Sequence, residues 1–576
     1  MELLDSRRLT GPNLICPVPG AVIDVEVEDA LREQALAVWS DHARALQRSV
    51  GWVGEDAGVH IRRFEGGASL VLVAPIDGLY AACEINECAW QRAVAALGGE
   101  GPATSAAEDV ARLRELVAEE SRPRLLDLAR RAESVGVTFL WDDDAVSVGT
   151  GTGSITWPVD QLPVSDAVAW SEVTDVPTVL VTGTNGKSTT VRMLAAIVKA
   201  GGRTPGFSST DGLWIGNECI DSGDYSGPGG ARTVLRERRT DVALLETARG
   251  GLLRRGLGVN SANAVALLNV AEDHMGEYGV QVMDDLVEAK FMVRRAVNSD
   301  RPIVLNADDP LVVEGARKHL QAPVIWFSLE ADNPIVVGHL REGGTACVAE
   351  GGYIRYCCGD SRVDVVEICS VPATMNGHAL FNIANAMAAV SLAMAIDLPV
   401  SVCAAGLQAF QSDPETNPGR CNVFEIGGVT AVVDFAHNAH GMRAFLQIAD
   451  AMPGGRRLVV IGMAGDRTDE GIREFVQAVW SVQPDCIVLK EMGEHLRGRE
   501  PGAVLDLMTE ELALLGAPSD RVVRAGSEIE ATRYALGWAR RDDLLLLSVQ
   551  AERDAVIELL RDLGDSGWRP GEPVSG

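Results

Sequence analysis

VPTVLVTGTNGKSTTVRML, residues 176–194, reads as a buried strand, a glycine-rich turn and the start of a helix. Pro177 opens the apolar run Val179-Leu180-Val181, and Gly183 closes it. Beyond the turn Val191, Leu194, Ala195 and Val198 recur at i, i+3, i+4 and i+7, one helical face, until Gly201-Gly202 stops it. Between them lie Gly183, Thr184, Asn185, Gly186, Lys187, Ser188 and Thr189. Glycines let backbone N–H groups turn toward an anion, and a helix N-terminus adds partial positive charge. Lys187 would reach the β- and γ-phosphates and the Ser188 hydroxyl would meet magnesium. The strict phosphate-loop pattern wants glycine at 181, where Val181 stands, so the strand before and the helix after carry the reading.

At 576 residues the length suggests about three to four domains. No run of about 18 uncharged apolar residues occurs, and MELLDSRRLTGPN lacks the basic-then-apolar order of a secretion signal. A cytoplasmic protein without a membrane partner is expected. The eleven cysteines are scattered with no C-x-x-C pair, which fits reduced thiols rather than a zinc site. A net charge of −30 argues against nucleic-acid partners.

Residues 1–165 read as an α+β unit. Strands are expected over Ala21–Val27 and Ser69–Val73, a helix over Leu31–Leu46, strand then helix over Gly78–Leu97, and helix over Ala106–Ala132. Gly149-Thr150-Gly151-Thr152-Gly153 looks like a dinucleotide fingerprint but lacks the third glycine and a following helix, so a hairpin turn or linker is the better reading. Residues 166–415 alternate apolar strands with helices, which predicts a mostly parallel, helix-covered sheet. Glu246 ends one strand, Asp273-His274 follows another, and ligands in such sheets sit outside strand carboxyl ends. Residues 416–576 restart the pattern as a smaller α/β domain.

VTGTNGKSTT, ETARGG (246–251), NVAEDHMG (269–276), NADDP (306–310), FNIANAMAA (381–389), PGR (418–420) and VDFAHN (433–438) stand in the order of the Mur ligase superfamily, which the chain resembles. RRLTGPN, ETARGGLLRRGL and KEMGEHLRGR resemble the cyanophycin-synthetase branch of that family. The resemblance implies a P-loop-type central ATPase domain, a Rossmann-like C-terminal domain, ATP and magnesium as cofactors, and amide-bond formation through an acyl phosphate. It implies an aspartyl or peptide carboxylate and an amino-acid amine as substrates. In that branch an ATP-grasp module stands between the N-terminal and Mur-like parts. Here Leu126–Gly153 leads almost directly to the phosphate turn. A separate partner enzyme supplying that step, and a homodimer, are the partners the resemblance admits. A non-catalytic nucleotide-binding scaffold or a binding module is the competing reading.

By resemblance Ser188, Glu246, His274 and a carbamylated Lys290 hold metal. Histidine is an uncommon magnesium ligand, and bare lysine a poor one. A strand-end salt bridge, a turn histidine and a solvated helix lysine are the plainer roles of Glu246, His274 and Lys290. Asn382 and Asn385 would meet adenine, with Phe381 standing where the family has histidine. Arg420 would reach the γ-phosphate and Asp434 the ribose. Thr210, Asp211, His437, Asn438, Asp466, Arg467, Arg497 and Arg499 would face substrate, with surface charge as the alternative for the arginines.

Overall fold

Thr178–Thr182 is the fifth strand of an eleven-stranded sheet in a computed structural model that describes residues 1–576 apart from 101–103, 274, 453, 573, 575 and 576. From one edge the order is Glu218–Asp221, Gly212–Ile215, Pro205–Ser209, Val242–Glu246, Thr178–Thr182, Ala264–Leu267, Ile303–Asn306, Val324–Ser328, Thr345–Glu350, Tyr353–Cys358 and Ser361–Glu367. The seven strands from Pro205–Ser209 to Thr345–Glu350 are parallel; two antiparallel strands extend each edge. Alternation explains the burial. Leu180, Ala243, Leu245 and Val265 pack on one face, and Val179, Val181, Leu244 and Ala266 pack on the other. A strand buried on both faces reads as a continuous apolar run.

The chain leaves Thr178–Thr182 toward one side of the sheet, then returns to pair Ala264–Leu267 on the other. That reversal opens a crevice at the carboxyl ends. Helix Lys187–Ala200 follows the crevice and is buried against helices Leu380–Ala395 and Val400–Ala409.

The C-terminal unit is a six-stranded sheet in the order Asn422–Ile426, Val429–Asp434, Leu544–Ser548, Arg457–Ile461, Cys486–Lys490, Val522–Ala525, parallel except for the first pairing. The N-terminal unit is a four-stranded antiparallel sheet in the order Glu2–Leu9, Gly20–Glu26, Gly67–Val73, Gly58–Phe64. Helices Asp29–Ser49 and Leu79–Ala96 bury Trp39, Leu36 and Ile85 against it. A small sheet of Phe139–Trp141, Ala145–Val148 and Ile155–Pro158 leads into the crevice domain.

Two expectations need correcting. Leu79–Ala96 is helix throughout, with no strand before it. Ala106–Ala132 is two helices, Ala106–Glu120 and Pro123–Val135, because Pro123 cannot continue a helix and starts the next. The glycine run at 149–153 is a hairpin turn, as expected: a 3-10 turn, Gly151–Gly153, joins two antiparallel strands of the small sheet. Among the described residues no helix is long and apolar enough to cross a membrane.

RRLTGPN is a docking seam. Thr10 N donates to Arg255 O at 2.8 Å, and Leu257 N donates to Pro12 O at 2.7 Å. The buried Arg7 pairs with Asp24 and donates Nε to Leu253 O. Arg62 reaches Asp285 at 2.5 Å and Gly279 O at 2.9 Å. The N-terminal unit thereby backs the wall formed by Arg249–Arg255 and Met283–Phe291.

Candidate active site

The crevice and the C-terminal unit enclose a cavity of about 1230 Å³. The turn after Thr178–Thr182 forms its floor. Gly186 has φ +86°, and a Cβ there would come within 2.3 Å of Asn385 Oδ1, so only glycine fits. Asn269 pins the turn twice: it accepts from Asn185 N at 2.8 Å and donates to Asn185 O at 3.1 Å. Lys187 Nζ donates to Gly183 O and Thr184 O, both at 3.1 Å.

Ser188, Thr210 and Glu246 meet at the next layer. Ser188 Oγ donates to Glu246 Oε2 at 2.7 Å and lies 3.1 Å from Thr210 Oγ1. Thr210 N also donates to Oε2, at 3.3 Å. Glu246 Oε1 is buried with no hydrogen-bond partner among the described residues. Burial pushes the Glu246 carboxyl up, opposed by Lys187. Lys290 is buried at the cavity wall; desolvation, helped by Lys187, lowers its ammonium to about 7. His274 lies outside the described residues.

Asn382 and Asn385 are buried beside the turn but bond locally. Asn382 Nδ2 donates to Ala373 O at 2.8 Å, and Asn385 Nδ2 donates to Asn382 Oδ1 at 3.2 Å. Asn385 thus braces Gly186 as well as lining the cavity.

The C-terminal unit supplies the roof. Asn185 and Asn438 exchange amide hydrogen bonds, both 3.1 Å, across the junction. Arg467 meets Asp273 at 2.7 Å, and His437 approaches the same carboxylate at 3.8 Å. Arg420 enters the cavity with its guanidinium 4.2 Å from the Phe435 ring centre. Asp434 accepts from Cys421 N at 3.0 Å and Ala436 N at 2.8 Å, so backbone donors already occupy both oxygens. Its carboxyl is pushed up by burial and held down by Arg420.

Some expected substrate residues serve the scaffold. Asp211 turns to Arg553 of the C-terminal unit and to Arg192 at 3.8 Å, an ion-pair bridge between the two units rather than part of the cavity lining. Arg499 donates to Gly465 O and Arg467 O and pairs with Asp469, which fixes the 465–469 loop. Arg497 lines the cavity and pairs with Asp466 at 2.5 Å. The sequence reading missed Asn269, which lies inside the quoted motif 269–276, and Arg249, which lies inside ETARGG.

Residues 181–393 match the family model of the Mur ligase middle domain, and residues 419–549 match that of the Mur ligase glutamate ligase domain. The chain carries the Mur ligase middle and C-terminal domains. The seam between the two Mur ligase domains is where Asn185 meets Asn438 and Asp211 meets Arg553. Among curated proteins the chain is 41% identical over 335 residues to cyanophycin synthetase of Synechocystis sp., covering 58% of this chain and 38% of that protein. It is 25% identical over 400 residues to the UDP-N-acetylmuramoyl-L-alanyl-D-glutamate–2,6-diaminopimelate ligase of Syntrophomonas wolfei, covering 66% of this chain and 75% of that one. The chain thus spans under half the length of the cyanophycin synthetase it matches. Among solved structures, E. coli FolC in complex with DHPP and ADP superposes with a TM-score of 0.50 at 20% identity, over 68% of this chain and 89% of that one, a likeness of the Mur ligase fold.

Proposed function

We propose that the protein is an ATP-dependent amide ligase of Mur type: it activates a carboxylate as an acyl phosphate, couples it to an amine and releases ADP. The observation that carries this reading is the unpartnered Glu246 Oε1 beside Ser188 Oγ, one layer from the Lys187 turn and inside a cavity shared by two domains. An orphaned carboxylate oxygen next to a phosphate turn fits a hard cation. Ser188 and Glu246 would hold magnesium, which when bound neutralises triphosphate charge. Among the described residues no three His, Cys, Asp or Glu side chains gather, so phosphate oxygens would complete the cation's ligands.

The chain's own residues do the rest. Lys187 leaves two carbonyls to meet the transferring phosphoryl charge. Arg420 brings a second cation from the opposite domain, where a guanidinium fork suits phosphate. Closure of the C-terminal domain through Asn438, Arg467 and Arg553 excludes water, which would otherwise hydrolyse the activated acid. His437, Arg467 and Arg497 face the cavity from the side an incoming amine must use. The printed name of the 2,6-diaminopimelate ligase relative supports an amino-acid amine. Screening carboxylate and amine pairs for ADP release, with product mass, tests the reading. A nucleotide-binding scaffold would release no ADP with any pair.

Lys290 sits in the cavity wall as an amine that is largely neutral above pH about 7. A neutral amine nitrogen attacks carbon dioxide and loses a proton, leaving a carbamate that can serve as a second metal ligand. In ¹³C-bicarbonate the protein should therefore show a carbamate resonance that grows as pH rises through 7 and is absent from Lys290→Ala.

A further inference from the structure

Lys490 ends the strand Cys486–Lys490 and is 1% exposed. It pairs with the equally buried Glu528, the first residue of the helix Glu528–Trp538. Its ammonium also donates to Gln550 Oε1 at 2.6 Å. To reach Gln550 the lysine stem crosses the neighbouring strand Arg457–Ile461 at Gly462, where a Cβ would come within 2.6 Å of Lys490 Cγ. Gly462, Gln550, Phe435 and Ala436 line the cavity, and Lys490 stands behind them. A buried ion pair is weak evidence for stability, because desolvation offsets its attraction. This pair has a different consequence, in the loops it holds.

Glu528 accepts from Gln550 N at 2.7 Å and from Glu552 N at 2.6 Å, which shapes the turn ahead of the helix Arg553–Ser566. Arg553, at that helix start, meets Asp211 of the middle domain. Lys490 fixes the Gln550 side chain. An ammonium has no acceptor, so only the amide oxygen can face it, and the amide hydrogens must point the other way. Gln550 Nε2 donates to Ala436 O at 3.0 Å, to Phe435 O at 3.4 Å and to Ser548 Oγ at 2.7 Å. Ser548 Oγ in turn donates to Ala436 O at 2.8 Å. Phe435 and Ala436 begin the loop that leaves the strand Val429–Asp434. The Phe435 ring is the platform for the Arg420 guanidinium, 4.2 Å away, and Asn438 on the same loop bonds Asn185 of the phosphate turn. One buried ammonium therefore orients the amide that holds the loop on which both roof contacts depend.

We propose that Lys490 is a positioning residue: through Gln550 it holds the Phe435 loop so that Arg420 is aimed at the γ-phosphate before ATP arrives. This rests on the ligase reading, in which Arg420 meets that phosphate. A preset guanidinium separates ATP from ADP, since only ATP carries the group it meets. The test is calorimetric titration of the full chain with magnesium and either ADP or the non-hydrolysable analogue AMPPNP. Wild type should bind AMPPNP at least about tenfold tighter than ADP. Gln550→Leu, which leaves the ion pair in place, should lose most of that preference. Its MgADP Kd should stay within about twofold of wild type and its Tm within a few degrees. Lys490→Met should show the same pattern, because Glu528 keeps both backbone donors; if that variant does not fold, Gln550→Leu decides. Arg420→Ala should also lose the preference, and adding Gln550→Leu to it should weaken AMPPNP no further, because the two changes remove one interaction. A preference unchanged in Gln550→Leu, an equal loss for both nucleotides, or additive effects of Gln550→Leu and Arg420→Ala overturns the proposal. Wild type that binds both nucleotides alike also overturns it and leaves the ligase reading standing. Wild type that binds neither overturns the ligase reading and this proposal with it.

Discussion

Lys187→Ala should reduce ADP release by about a thousandfold or more while leaving the protein folded. The ammonium is held over the turn by two carbonyls, Gly183 O and Thr184 O, at 3.1 Å each. Among the described residues no carboxylate is hydrogen-bonded to it. In the transition state charge spreads over the transferring phosphoryl oxygens, and a fixed cation there acts with little reorganisation. Removing it also removes two local hydrogen bonds, worth about 1–2 kcal/mol together, or a fall of a few degrees in Tm. The turn itself survives because Asn269 and the Gly186 geometry set it independently. Circular dichroism with steady-state ADP release makes the measurement. A variant that keeps near-native rates would remove Lys187 from the chemistry.

What the sequence made legible follows from locality. The strand, turn and helix of 176–194 are consecutive, so apolar periodicity and glycine placement exposed them, and Glu246 was visible as the acid ending the adjacent strand. The parallel sheet was legible for the same reason. What escaped depends on distant partners. Asp211 looks like a loop acid beside Thr210, but Arg553, 342 residues away in sequence, claims it. Asn382 and Asn385 both line the cavity, while the helix also turns them on each other and on Ala373 O. Arg249 was hidden in plain view, because ETARGG was quoted as a motif and only burial reveals that one guanidinium nitrogen lacks an acceptor. The short apolar stretch after Gly78 suits strand or helix alike, and packing of Leu79, Ala82 and Ile85 on the four-stranded sheet decides for helix. RRLTGPN carried no chemistry by itself; its backbone bonds to Arg255 and Leu257 show that it seats the N-terminal unit behind the Arg249 wall.

Glu246→Gln should abolish turnover and at the same time stabilise the ligand-free protein. The carboxylate is 2% exposed, and among the described residues only one of its oxygens is bonded, by Ser188 Oγ and Thr210 N. Burial raises its folded pKa above the unfolded value. For an acid shifted upward, the folded state binds more protons than the unfolded state between the two pKa values, so stability falls as pH rises through that window and stays reduced above it. At neutral pH the wild type carries this cost and glutamine does not. The amide keeps an oxygen for Ser188 and Thr210, and the gain should be about 1–2 kcal/mol, a few degrees in Tm at this size. The gain should shrink on acidification, as the wild-type carboxyl takes up its proton. Adding magnesium with a non-hydrolysable ATP analogue should reverse the order. Wild type gains the linkage stabilisation of a bound cation and nucleotide, about 3 kcal/mol at a hundredfold excess over Kd, and the variant gains much less. Turnover should fall by at least about a thousandfold, because the neutral amide no longer offsets the charge of a divalent cation beside the triphosphate. A variant less stable than wild type without ligand, or equally stabilised by magnesium and nucleotide, would show that Glu246 is a structural strand-end residue and not the cation's carboxylate.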